Sequence, residues 1–214
     1  MHNKDSLSRK QTYRNYVLLL VEGILFTVGM VFFDTNTILP LLMKELTGSV
    51  IMVGFIGTAP ALGMGLTSLL AGNWVKSYKY KKKFMVTVSS LGRLPLWILG
   101  LSLIFISLDN VYFWGTMIIG IQFLFWLADG AVYSAWSDLM GKSINASNRG
   151  RFLGVTQIAG GIIAIIAGGF VNRLIDLEFL AFPANYGLIL CIGALLFTLS
   201  ILAFSGVIEK PSST

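Results

Sequence analysis

The stretch VYFWGTMIIGIQFLFWLADGAVYSAWSDLM (residues 111–140) carries only two charges, Asp129 and Asp138. A helix rises about 1.5 Å per residue, so about 20 apolar residues cross the roughly 30 Å hydrocarbon core of a bilayer. Helix is also the open-chain form that satisfies its own backbone hydrogen bonds in lipid. Five more stretches pass the same test: 16–41, 50–75, 84–107, 152–175 and 184–207. The expected fold is an all-α membrane protein with six transmembrane helices. Residues 1–15 form an amino-terminal cytoplasmic segment, 16–207 the six-helix bundle and 208–214 a cytoplasmic tail. The polar run from Lys4 to Arg14 lacks the short apolar core and cleavage site of a removed signal peptide, so the first span is expected to be retained.

Composition agrees with this reading. Of 214 residues, 55% are hydrophobic and 12% charged, and the mean hydropathy is +0.77. Soluble domains carry about 25% charged residues. A soluble enzyme, a disordered chain and a nucleic-acid binder all fit poorly. His2 is the only histidine and Cys191 the only cysteine, which removes His-based metal sites, His-based triads and intramolecular disulfides. No enzyme constellation, cofactor or metal site is expected.

The net charge of +6 reads as topology. Lys4, Arg9, Lys10 and Arg14 precede the first span, Lys76 to Lys83 follow the second, Lys142, Arg149 and Arg151 follow the fourth, and Lys210 follows the sixth. Thirteen of the sixteen cations thus fall on one side of a six-span chain. Lys and Arg collect on the cytoplasmic side, so both termini are expected there, in a multi-pass protein of the cell (inner) membrane.

A charge within the hydrocarbon costs about 2.5–3.5 kcal/mol, so it survives where it meets water, a partner or a substrate. Glu22, Asp34, Arg93 and Asp129 are the candidates. At about 1.5 Å per residue, Glu22 lies about 10 Å in from the cytoplasmic end of its span, and Arg93 and Asp129 about 13–15 Å. These three share a layer, and Asp34 sits nearer the outer face. Arg93 can pin helices together by pairing with Glu22 or Asp129. Desolvation favours a neutral carboxyl unless a cation offsets it, so whichever of Glu22 and Asp129 lacks Arg93 is the better proton carrier.

In the fourth span Gln122, Trp126, Asp129, Tyr133 and Ser137 form one helical stripe that lipid would not favour. The stripe is expected to line an aqueous cavity, while Trp136 reads as an interfacial anchor. On the first span Glu22, Gly29 and Asn36 form one stripe, and Thr27, Asp34 and Thr37 another about 120° away. Either Glu22 and Asn36 or Asp34 faces the cavity.

An internal echo relates Leu70-Ala71-Gly72-Asn73-Trp74-Val75 to Ala167-Gly168-Gly169-Phe170-Val171-Asn172. It divides the chain into two three-helix units, and an odd number of spans per unit makes the second inverted relative to the first.

At this point the whole chain resembles the amino-terminal six-helix half of a major facilitator superfamily transporter. The resemblance rests on Ile38-Leu39-Pro40-Leu41, a Gly-rich second span, a basic loop after it, and Asn148-Arg149-Gly150-Arg151-Phe152-Leu153-Gly154 following Trp136 and Asp138. The family's loop motif would start at Gly72, but Lys76 stands in its acidic place, so that partner of the family's cytoplasmic charge network is missing. The resemblance implies a secondary transporter half or subunit that moves a small organic solute by alternating access, with a proton as coupling ion ahead of sodium. It also implies a second six-helix bundle, from another copy of the chain or a separate half. The competing reading is a non-transporting membrane fragment or assembly partner.

Overall fold

The structure, a computed structural model, describes residues 8–76, 78, 80–106, 109–177 and 180–209, with residues 69–76 described in their backbone alone. Seven helices follow one another: α1 (Arg9–Phe32), α2 (Ile38–Thr47), α3 (Val50–Lys76), α4 (Lys81–Phe105), α5 (Val111–Ser143), α6 (Ala146–Ile175) and α7 (Ala184–Ser205). Among the described residues there is no strand. All but α2 are long and apolar enough to cross a membrane. This is the expected all-α, six-span bundle.

Local chemistry sets the ends. Ser8 and Gln11 form a reciprocal capping box at the start of α1, which satisfies two donors that the first turn would leave open. The Asn110 side chain accepts from the Phe113 backbone N–H at 3.1 Å and caps α5. Gly48 leaves α2 with a φ of 66°, the left-handed conformation that glycine adopts without a Cβ penalty.

The first span departs from expectation. Rather than running from 16 to 41, the helix stops at Phe32 and restarts at Ile38. Pro40 has no N–H to donate, and its ring would clash with the carbonyl four residues back in a continuous helix. Asp34 supplies an alternative to helix: its carboxylate accepts from the Asn36 N–H at 3.1 Å and from the Thr37 hydroxyl, and its carbonyl accepts from the Leu39 N–H at 3.0 Å. Asn36 therefore leaves the Glu22 stripe and lies exposed.

The most extensive helix packings are α3 with α5, α4 with α7, α1 with α7, α4 with α5 and α1 with α6. Exchanging α1 with α5, α3 with α6 and α4 with α7 maps that set onto itself, the pattern that two inverted three-helix repeats produce. Under this exchange α3 and α6 are equivalent, and they are also the two least buried spans.

A large apolar core fills the side of the bundle away from the basic ends. Within it, the rings of Phe33 and Phe125 are 4.8 Å apart and those of Phe125 and Phe197 5.1 Å. A smaller core of Leu19, Met85, Val132, Phe152 and Phe204 lies on the basic side. Outward, residues such as Leu91, Phe105, Ile158 and Ile165 are exposed. So many exposed apolar side chains would be a liability in water, and the bilayer is their solvent.

Candidate functional site

Between the two cores lies a cavity of about 360 Å³, lined from α1, α4, α5, α6 and α7. That volume lies within the range of small-molecule sites. The wall is mostly apolar, with Leu19, Phe26, Val86, Phe152 and Phe204 among its members. Its charged groups are Glu22, Arg93 and Asp129, and Tyr133, Trp136, Thr156, Gln157 and Ser200 add polar ones.

Arg93 pairs with Asp129, Nη2 donating to Oδ1 at 2.7 Å. The guanidinium is also enclosed by aromatic faces, its Cζ lying 4.9 Å from the Phe125 ring centre, 5.8 Å from that of Phe26 and 5.9 Å from that of Phe197. Such rings attract a desolvated cation through their negative faces. Close approach of α4 and α5 makes the pair possible. A Cβ built on Gly92 would stand 2.4 Å from the Ala128 Cβ, so glycine beside Arg93 lets the two backbones come together.

Glu22 makes no ion pair among the described residues. Its Oε2 instead accepts from the Trp136 indole N–H at 3.1 Å, and Ser200 donates to its backbone carbonyl at 3.3 Å. Trp136 is thus a direct partner of the cavity carboxylate and not only an interfacial anchor. The signal was in the sequence, since Trp136 stands seven residues from Asp129 on the same helical face.

The fourth-span stripe divides along its length. Asp129 and Tyr133 line the cavity, whereas Gln122 and Trp126 do not. Gln122 is fully buried and donates to the Ile56 carbonyl of α3 at 3.0 Å. A Cβ on Gly63 of α3 would come within 2.6 Å of the Trp126 Cβ, so α3 crosses the stripe here, and further along it packs against Gly130 through Met64 and Thr67. The upper part of the stripe therefore avoids lipid by facing α3, and the lower part by facing the cavity.

Asp34 lines a second recess of about 470 Å³ between α1, α2 and α6, on the opposite side. Its carboxylate is occupied by Asn36 and Thr37. Thr27 lines both recesses.

These features were compared with known proteins. The Major Facilitator Superfamily model matches residues 23–213. The chain belongs to this family. Searches of curated proteins and of solved structures each returned no match. Membership makes the chain a multi-pass membrane protein of a transporter family.

On the basic side, Arg149 of the α6 entry ties the end of α5, donating through Nη2 to the Gly141 carbonyl at 2.6 Å and through Nε to that of Ile144 at 3.2 Å. Gly150 and Arg151 are exposed in the first turns of α6. Gly72 and Lys76 end α3 with their side chains outside the described ones, and Ser77 and Lys79 lie outside the described residues. Sequence reasoning assigned no partner to two acids here. Asp138 pairs with Lys81 at 2.8 Å and with Lys142 at 2.5 Å. The Glu209 carboxylate accepts from the backbone N–H groups of Lys81 at 2.7 Å and Lys82 at 2.9 Å, which caps α4 where negative charge is favoured.

Proposed function

We propose that the chain is half of a secondary active transporter that moves a small organic solute by alternating access, coupled to protons, and that it works against a second six-helix bundle. The observation that carries this reading is the Glu22 carboxylate, set in a largely apolar cavity beside an already neutralised Arg93–Asp129 pair and held by neutral donors, the Trp136 indole N–H first among them. A carboxylate in that position changes charge by taking up or releasing a proton, and its charge decides what the cavity attracts. Proton flow down its gradient then drives solute against its own, without a cofactor.

The second bundle covers α3 and α6. Gly54, Gly57 and Gly65 on α3 and Gly154, Gly161 and Gly169 on α6 meet nothing within 4 Å, so both helices offer backbone that another helix can approach closely. A two-fold axis along the membrane normal supplies that bundle from a second copy, and a separate half would sit in the same place. The clustered cations support a reading with both termini on the cytoplasmic side of the cell (inner) membrane.

The test is flux in proteoliposomes made with the full chain. A pH-sensitive dye inside the vesicles should report solute-dependent proton movement, and Glu22→Gln should reduce it to the level of protein-free vesicles. Absence of any solute-dependent movement from a well-folded protein would favour a structural role. Tyr133→Cys in a Cys191→Ser background should cross-link two copies, and full activity from a strictly monomeric preparation would remove the second bundle.

A further inference from the structure

Any substrate of this cavity meets one unbalanced charge. Arg93 is 5% exposed, spent on Asp129 at 2.7 Å and screened by three phenylalanine rings. An anionic solute would compete with Asp129 for a guanidinium whose charge that carboxylate already balances, and would add a second negative charge beside it. Glu22 has no ion-pair partner among the described residues; its carboxylate takes the Trp136 indole N–H, with the Ser200 hydroxyl beside it, and when ionised it can accept further hydrogen bonds or face a cation directly. The surrounding groups reinforce the preference. From α4 Arg93 faces Glu22, and from α5 Asp129, Tyr133 and Trp136 do so; α6 adds Thr156 and Gln157 and α7 adds Ser200, with no charge on either. With Arg93 and Asp129 cancelling, ionised Glu22 leaves the cavity at one negative charge among apolar and aromatic walls.

We infer that the cavity binds a monovalent organic cation with an apolar or aromatic body, and that this cation and a proton exclude one another at the Glu22 carboxylate. The inference rests on the transport reading above and specifies its substrate class and direction of coupling. When the cation enters, the O–H bond of protonated Glu22 breaks and the proton leaves to water in the open cavity; when the cation departs, a proton from water restores it. Both loaded states carry the same net charge. Return of the empty ionised carboxylate is disfavoured by its desolvation, so each passage across the membrane carries either a cation or a proton. Symport of the two would require a second free carboxylate, and among the described lining residues the other one, Asp129, is committed to Arg93.

Benzyltrimethylammonium, benzyl alcohol and benzenesulfonate share an aromatic body and differ in charge, so they probe this directly. Binding of each to the purified full chain is measured by competition against the radiolabelled ammonium compound, and proton release by a pH indicator in weak buffer. The ammonium compound should bind tightest, release a proton as it binds, and lose affinity as the pH falls. Glu22→Gln should weaken it by about tenfold or more and abolish the release. Tighter binding of the sulfonate or the alcohol overturns the inference, as does cation binding to the wild-type chain that releases no proton at any pH where binding weakens. The wild-type measurements decide the matter even if the variant does not fold. Vesicle flux separates the two readings: Glu22-dependent flux of an anionic or neutral solute alone sinks the cation inference and leaves transport standing. Cation binding with proton release but no flux under any gradient sinks transport and leaves the site.

Discussion

Helix α1 and the turn that follows it supply one carboxylate to each of two recesses, and their surroundings assign the two opposite roles. On the basic side Glu22 sits at mid-helix, where the backbone N–H groups are already used by the helix, and only side chains of other helices reach it, the Trp136 indole at 3.1 Å and the Ser200 hydroxyl. On the other side Asp34 sits where the helix has stopped, and its oxygens accept from the Asn36 backbone, the Asn36 amide and the Thr37 hydroxyl. The same functional group is thus available for a ligand in one place and consumed by local structure in the other. A short acidic side chain beside a helix break readily finds nearby backbone donors, whereas one inside a continuous helix has to look to neighbouring helices.

The strongest way to break this comparison is to neutralise each carboxylate without changing its shape. Glu22→Gln should bring proton-coupled flux to background, while Asp34→Asn should leave it near the wild-type rate. A loss at Asp34 equal to that at Glu22 would mean that both recesses belong to one proton path, joined at Thr27, and would end the distinction. Next in size is the Arg93–Asp129 pair, which leaves Glu22 without an ion-pair partner among the described residues. Arg93→Met strands a buried carboxylate and should cost about 3–5 kcal/mol, read as a large drop in thermal stability in detergent. Adding Asp129→Leu removes the stranded charge and should recover most of the loss. Failure of that rescue would mean that the guanidinium stabilises chiefly through Phe125, Phe26 and Phe197.

How much of this was legible in the sequence follows from what each feature depends on. Hydrophobic length alone fixes six spans, and the alternating loop charges agree with the helix ends, because both depend on local composition. The break after Phe32 was also local: Asp34 and Pro40 together are sufficient cause, but the apolar residues around them kept the hydropathy high and hid it. The fourth-span stripe divides between α3 and the cavity because sequence periodicity states only that a face is polar and not what it meets. Whether Gln122 meets α3 or the cavity depends on where α3 crosses α5, which Gly63 and Gly130 determine through contacts that only the assembled bundle makes. For the same reason Arg93 had two possible carboxylates. Gly92 settles the choice by letting α4 reach α5, and glycine at one position in a Gly-rich membrane chain does not announce its partner.

That glycine gives the next prediction. Gly92→Ala places a methyl group 2.4 Å from the Ala128 Cβ, so the helices must separate, at about 1–3 kcal/mol. The separation also lengthens the Arg93–Asp129 bond, and with the guanidinium less firmly held, the cavity should bind benzyltrimethylammonium more weakly. Gly161→Ala meets nothing within 4 Å and should leave the stability of the isolated bundle unchanged; an equal loss from both would deny Gly92 its special position.

The smallest expected effect tests the quiet side of the comparison. Asp34→Ala removes the acceptor for the Asn36 N–H and the Thr37 hydroxyl, but the Asp34 carbonyl still receives the Leu39 N–H at 3.0 Å, and Pro40 still forbids a continuous helix. The break should therefore persist at a cost of about 1 kcal/mol, the usual net worth of such hydrogen bonds. Hydrogen exchange at the Asn36 amide should speed up while amides within α1 keep their protection. If α1 protection were also lost, the carboxylate would be holding the span itself in place, and Asp34 would be structural to the whole bundle and not to its turn alone.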